Sequence, residues 1–139
     1  MKKVTGIGGV FFKCKDSKKM NEWYVQHLGF KQAEDGSILF EWRDSDHPEK
    51  KAYTVWSPFK ETTEYFQPSQ KEYMINLRVE NLEDLLAQLK EEGVNVVGDM
   101  ETFEYGKFGW VIDPEGNKIE LWEPVDSEFT KMYEGQTIH

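Results

Sequence analysis

The sequence predicts an α+β fold: two paired βαβββ modules whose eight strands form one cup-shaped sheet, with helices on its outer face. Three observations predict it. Short runs rich in Val, Ile and aromatic residues alternate with helical periodicity and turn signals. The order strand–helix–strand–strand–strand occurs twice. The landmarks of the two copies keep a near-constant offset, 65 residues from Asp16 to Asn81, 64 from Gly29 to Gly93 and 66 from Pro58 to Pro124. A module this small cannot bury its sheet alone, so the repeat implies pairing.

The elements follow in order. Val4 to Cys14 reads as a strand punctuated by Gly6, Gly8 and Gly9. Ser17 to Leu28 reads as a helix, because Met20, Trp23, Tyr24, His27 and Leu28 fall at helical spacing. Asp16 or Ser17 caps it and Gly29 stops it. Phe30 to Ala33, Ile38 to Arg43 and Ala52 to Trp56 read as three strands, the last two separated by a solvated charged loop, Asp44 to Lys51. Pro58 to Lys71 lacks periodicity and reads as a connector. Met74 to Glu80 restarts the pattern. Asn81, with Asp84 at the capping-box position, opens a helix striped by Leu82, Leu85, Leu86 and Leu89. Val94 to Gly98, Phe108 to Ile112 and Lys118 to Trp122 read as the closing strands, with a turn at Asp113-Pro114-Glu115-Gly116-Asn117. The first module thus spans 1–57, the connector 58–72, the second module 73–124 and a tail 125–139. The sequence leaves open whether the tail docks or stays loose.

Composition excludes several classes. The 139 residues carry 17 basic and 26 acidic side chains, a formal net charge of −9. Such a chain repels phosphate backbones and anionic bilayers, so nucleic acid and membrane are not expected partners. No run approaches the roughly 18 apolar residues of a membrane span. Met1-Lys2-Lys3-Val4-Thr5-Gly6 lacks the apolar run of a secretory leader. The single cysteine, Cys14, forms no internal disulfide and reads as a small buried apolar residue. A cytoplasmic setting is expected.

Strand alternation sorts the residues by face. Val10, Phe12, Cys14, Ile75, Leu77, Val79, Ile119 and Leu121 make one apolar face for the two helices. The other face holds Phe11, Lys13, Thr54, Trp56, Met74, Asn76, Arg78, Glu120 and Trp122. It is too aromatic for water and too polar for an ordinary core. Aromatic walls with a few converging polar groups suit a small-molecule site. The bland alternative is a surface covered by a partner, or a core ion pair of Glu120 with Lys13 or Arg78.

The segments Gly6-Ile7-Gly8-Gly9-Val10-Phe11-Phe12-Lys13 and Trp23-Tyr24-Val25-Gln26-His27-Leu28-Gly29-Phe30 carry a resemblance, as does Gly106 to Pro124 with its Asp113-Pro114-Glu115-Gly116-Asn117 turn before Ile119-Glu120-Leu121-Trp122. Over Lys3 to Pro124 the chain resembles the vicinal oxygen chelate superfamily of glyoxalase I, bleomycin-resistance proteins and extradiol dioxygenases. The resemblance implies a divalent metal in the cup, with ligand positions at Gly9, Thr54, Met74 and Glu120. Of these, only Glu120 is a usual ligand for a hard ion. No metal ligand set and no cofactor are therefore expected. His27 reads as a packed or boundary helix residue, His47 as a loop residue and His139 as terminal.

The expected function is the binding of a small anionic or aromatic molecule. Arg78 or Lys13 grips it, Asn76 orients it, and Phe11, Thr54, Trp56 and Trp122 line it, with Lys107 and Trp110 at the rim. One alternative is a glyoxalase-like lyase or isomerase, related to lactoylglutathione lyase, or a dioxygenase; either uses Glu120 as catalytic residue with a weakly held metal. Another is an assembly protein whose cup a partner fills. The family implies a homodimer, and unpaired sheet edges agree with one. Gly6-x-Gly8-Gly9 is no dinucleotide loop, because no helix follows it directly. No G-x-S-x-G elbow occurs, and Asp44 to Lys51 lacks the glycine of a calcium loop.

Overall fold

The computed structural model describes residues 3–139. Among them the order is β1 (Val4–Cys14), α1 (Ser17–Leu28), β2 (Ile38–Asp44), β3 (His47–Lys60), β4 (Tyr73–Val79), α2 (Leu82–Glu91), β5 (Asn95–Phe103), β6 (Gly106–Ile112), β7 (Lys118–Pro124) and α3 (Asp126–Tyr133). The strands form one mixed sheet in the order β2-β3-β1-β4-β7-β6-β5. β1 and β4 pair antiparallel at its centre; β1 with β3 and β4 with β7 pair in parallel. No helix is long and apolar enough to cross a membrane among the described residues.

Seven strands are present among the described residues, where the sequence predicts eight. Phe30 to Ala33 is not a strand. Its hydrogen bonds are spent locally: Ala33 N–H donates to the Ser37 carbonyl at 2.8 Å, and Gly36 N–H to that of Ala33 at 2.9 Å. The charged Asp44 to Lys51 segment is not a long loop either. Asp44 pairs with His47 across a tight hairpin, and β3 begins at His47. It remains solvated, with His47, Pro48, Glu49 and Lys50 exposed.

Local chemistry sets the helix ends. Asp16 accepts from the Lys19 N–H at 3.0 Å, and Gly29 closes α1 in the left-handed region at φ 70°. Asn81 precedes α2, but its side chain does not accept a capping bond. Its Nδ2 donates to Asp84 Oδ2 at 2.8 Å, while Glu123 Oε1 accepts from the Leu82 N–H at 2.9 Å. An anion delivered by the end of β7 thus satisfies the positive end of α2.

Ladder partners share a face, so register carries orientation across the sheet. The chain Trp56, Val10, Ile75, Ile119, Val111 lies on the helix side. There α2 buries Leu82, Leu85 and Leu86 against Val79, Val111 and Leu121, each worth about 1.5–3 kcal/mol of transfer free energy. α1 packs more loosely: Tyr24 meets Trp56 and Phe30, while Trp23 and Leu28 stay exposed. The opposite face carries two covers. The connector drives Phe66 against Phe11, Met74 and Trp110. The tail docks as α3, with Phe129 and Tyr133 packed on Leu39, Tyr53 and Trp122. Beyond it, the Ile138 N–H donates to the Leu39 carbonyl at 2.9 Å, and the Ile138 carbonyl accepts from Glu41 at 2.7 Å, so the chain end lines the β2 edge.

Candidate functional site

The central ladder sets the floor of the site. Asn76 on β4 pairs with Glu120 on β7 and with Gly9 on β1. Gly8 is the extra residue of a β-bulge, between the Ile7–Leu77 and Gly9–Asn76 pairs. A side chain at Gly8 would strike the Asn76 amide oxygen and the Trp122 ring. Glycine there leaves open the space above Asn76.

Glu120 is 2% exposed and Asn76 1%. Three donors hold the Glu120 carboxylate. Asn76 Nδ2 donates to Oε1 at 2.6 Å, Trp110 Nε1 to Oε2 at 2.9 Å, and the Tyr65 hydroxyl also to Oε2. All three donors are neutral. Burial and the adjacent Glu120 carboxylate push the Tyr65 phenol far above its usual value. Lys118 lies behind this group, its Nζ 5.2 Å from the Tyr65 ring centre and 5.5 Å from that of Trp110, donating to the Tyr65 carbonyl at 2.7 Å. Burial depresses the Lys118 ammonium, against the pull of Glu120 and Glu101.

Above this floor is a cavity of about 240 Å³. Phe11, Val55, Phe108, Trp122, Phe129 and Tyr133 are among its walls, with Gly8, Asn76 and Glu120 below. Phe108 stacks on Trp122 with ring centres 5.8 Å apart. α3 supplies one wall of the cavity. Arg78 binds Asp126 at the start of α3 in bidentate fashion, at 2.9 and 2.5 Å. Tyr53 and Thr130 share a hydroxyl hydrogen bond of 2.7 Å, and the Tyr133 hydroxyl donates to Asp35 at 2.8 Å.

The residues singled out in the sequence separate into two groups. Phe11, Asn76, Glu120 and Trp122 line the cavity, and Trp110 reaches it through Glu120. Trp56 does not. It packs against Phe12, Tyr24 and Phe30 on the helix side. Thr54 accepts from Trp42 Nε1 at 2.9 Å and donates to the Ile7 carbonyl at 2.5 Å. The cause is register: β1 pairs Gly9 with Val55 and Val10 with Trp56, so Val55 shares the face of Gly9. Arg78 is committed to Asp126 and lies between the Trp42 and Trp122 rings, 5.4 Å from each centre. Lys13 sits 5.8 Å from the Phe66 ring centre, and Lys107 binds Glu83 of α2 at 3.0 Å. None of these three cations lines the cavity, so the expected grip on an anion is absent from its walls.

Sequence reasoning missed Val55, Tyr65, Phe108 and the tail residues Phe129, Met132 and Tyr133. The tail did carry a signal, since those three fall at i, i+3 and i+4. Tyr65 carried none, because its segment is aperiodic.

A divalent metal is not suited to this donor set. Phe11 pairs with Ser57 as Asn76 pairs with Glu120, and Phe11 to Asn76 keeps the repeat offset of 65. By strand register Ser57 stands to Phe11 as Glu120 stands to Asn76, while the Thr54 hydroxyl is committed to Ile7 and Trp42. Gly9 has no donor, and the Phe11 ring fills the space its side chain would take. Met74 is fully buried in an apolar cluster. Ser57 offers a neutral hydroxyl. These groups do not make an oxygen or imidazole cage.

The comparisons with known proteins agree on the fold. A methylmalonyl-CoA epimerase variant from Streptomyces coelicolor, in complex with 2-nitronate-propionyl-CoA, superposes with a TM-score of 0.62 at 16% identity, over 88% of this chain and 99% of that one. Methylmalonyl-CoA epimerase from Mycobacterium tuberculosis gives 0.55 at 20% identity, over 91% and 93%. A glyoxalase/bleomycin resistance protein/dioxygenase superfamily member from Vibrio splendidus 12B01 gives 0.53 at 15% identity, over 84% and 97%. The comparison with curated protein sequences finds no match. The family model described as a glyoxalase-like domain matches residues 9–122, the stretch that runs from the bulge of β1 to the Trp122 wall of the cavity, and the chain therefore belongs to the glyoxalase-like domain family.

Proposed function

We propose that this protein binds a small, largely aromatic organic molecule in the cup between the sheet, the connector and α3. One observation carries the reading: an aromatic-walled cavity of about 240 Å³ with two buried polar side chains, Asn76 and Glu120, at its floor. An apolar enclosure with a few converging polar groups is the usual form of a small-molecule site. A cavity of about 150 Å³ takes benzene, so this one has room for a substituted ring. α3 supplies part of the wall from the same chain, which favours a ligand over a partner protein in the cup.

The test is a thermal-shift and calorimetric screen against small aromatic compounds. Binding of at least one compound is expected, together with its loss in Val55→Trp, which fills the cavity from β3. Binding that survives the filling variant refutes this location.

A second reading rests on Glu120 itself. Glu120 lines the cavity, where a carboxylate within hydrogen-bond reach of a bound molecule can act as a general base. Turnover of a bound compound, abolished in a folded Glu120→Gln variant, would make the protein an enzyme of the glyoxalase-like class.

A further inference from the structure

The floor of the cavity has a defined hydrogen-bonding sign. An ionised carboxylate offers about four lone-pair sites. On Glu120, Tyr65 and Trp110 occupy those of Oε2, and Asn76 occupies one on Oε1. One site on Oε1 remains. The Asn76 amide turns its Nδ2 to the carboxylate, which only accepts, and so its Oδ1 points the other way. That oxygen is buried without a partner among the described residues. It lies toward Gly8, which also lines the cavity. Both open positions are acceptors, on neighbouring side chains.

Among the described residues no cation answers them from within the cavity. Arg78 is committed to Asp126, Lys13 to the Phe66 ring, and Lys118 to the Tyr65 and Trp110 rings, outside the cavity walls. A buried carboxylate held only by neutral donors is costly, and a ligand that brings a positive charge recovers part of that cost. Ring faces also attract cations, and Phe11, Phe108, Trp122 and Phe129 surround the space. The net charge of −9 raises the local concentration of cationic solutes.

We infer that the cavity recognises a protonated organic amine on an apolar, ring-sized body. The ammonium donates to Glu120 Oε1 and Asn76 Oδ1, and the body lies among the aromatic walls. This inference rests on the cavity being a ligand site. It replaces an anionic ligand with one of opposite charge.

The experiment is isothermal titration calorimetry of the full chain with four probes of similar size: 2-phenylethylamine, 2-phenylethanol, 3-phenylpropionate and ethylbenzene. The amine binds tightest, by about tenfold or more over the alcohol, and the acid binds weakest. In Glu120→Gln the advantage of the amine over the alcohol collapses to about threefold or less, while ethylbenzene affinity holds. Circular dichroism verifies folding, and Asn76→Ser provides the same readout should Glu120→Gln not fold. Equal or tighter binding of the acid or of ethylbenzene overturns the inference and leaves the ligand site standing. Failure of all four probes to bind the unmodified chain overturns both.

Discussion

Phe129→Ala tests the docking of the tail, on which the enclosure of the cavity depends. Phe129 is 8% exposed and contacts four rings: Tyr53, Tyr105, Trp122 and Tyr133. Truncating a buried Phe costs about 3–5 kcal/mol, more where the surroundings cannot collapse into the gap. Here the site already borders an open cavity, so few atoms are available to fill it. A loss of about 4 kcal/mol follows. For a domain of this size it corresponds to a fall in Tm of about 12 °C if the tail unfolds with the sheet. Undocking of α3 without unfolding of the sheet limits the loss. The signature is then local: amide exchange in α3 accelerates strongly while β1, β4 and β7 stay protected. Differential scanning calorimetry and hydrogen exchange read both quantities. A Tm within about 2 °C of the unmodified chain, with α3 protection unchanged, would refute the packing argument.

Four further outcomes are expected. Gly8→Ala puts a methyl group against Asn76 and Trp122; urea unfolding should show a loss of about 1–3 kcal/mol, along with weaker ligand binding. For Asp35, burial works to raise the carboxyl, but the Ser37 N–H and the Tyr133 and Ser37 hydroxyls outweigh it and hold it below its ordinary value of 3.8. A depressed carboxyl gives stability that is present above its unfolded value and lost as pH falls through the folded one, so NMR exchange should show α3 loosening below about pH 4, and Asp35→Asn should abolish that dependence. Burial and the Glu120 carboxylate hold the Tyr65 phenol far above its ordinary value, so the ultraviolet titrations of the unmodified chain and Tyr65→Phe should coincide until the protein unfolds. Zinc, nickel or manganese should not raise Tm, and near-stoichiometric metal in the purified protein would contradict the account of the missing ligands. The expected homodimer is checked separately by sedimentation velocity, where a monomer mass at micromolar concentration would remove it.

Much of the architecture was legible because periodicity and caps act locally. The stripe Leu82, Leu85, Leu86 and the stop at Gly29 need no tertiary information. Within β4 and β7 one face is plainly aliphatic, so Asn76, Glu120 and Trp122 could be assigned to the other. β3 defeated the same reasoning. Tyr53 and Val55 are as apolar as Thr54 and Trp56, and alternation then has no preferred phase. The eighth strand failed because Phe30 to Ala33 has strand-like composition but bonds within its own turn.

The sequence by itself determined the α+β class, the helices α1 and α2 and the shared face of Asn76 and Glu120, because each follows from residue spacing along one segment. Only the tertiary structure decided that Val55 faces the cavity, that Arg78 belongs to Asp126, that Tyr65 reaches Glu120 and that the tail supplies one wall of the cup. Those contacts join residues about 50 positions apart, where charge and hydrogen-bonding capacity are known in advance but the partner is not. The cations Arg78, Lys107 and Lys13 are visible in the sequence, but the groups they meet, Asp126, Glu83 and the Phe66 ring, are not.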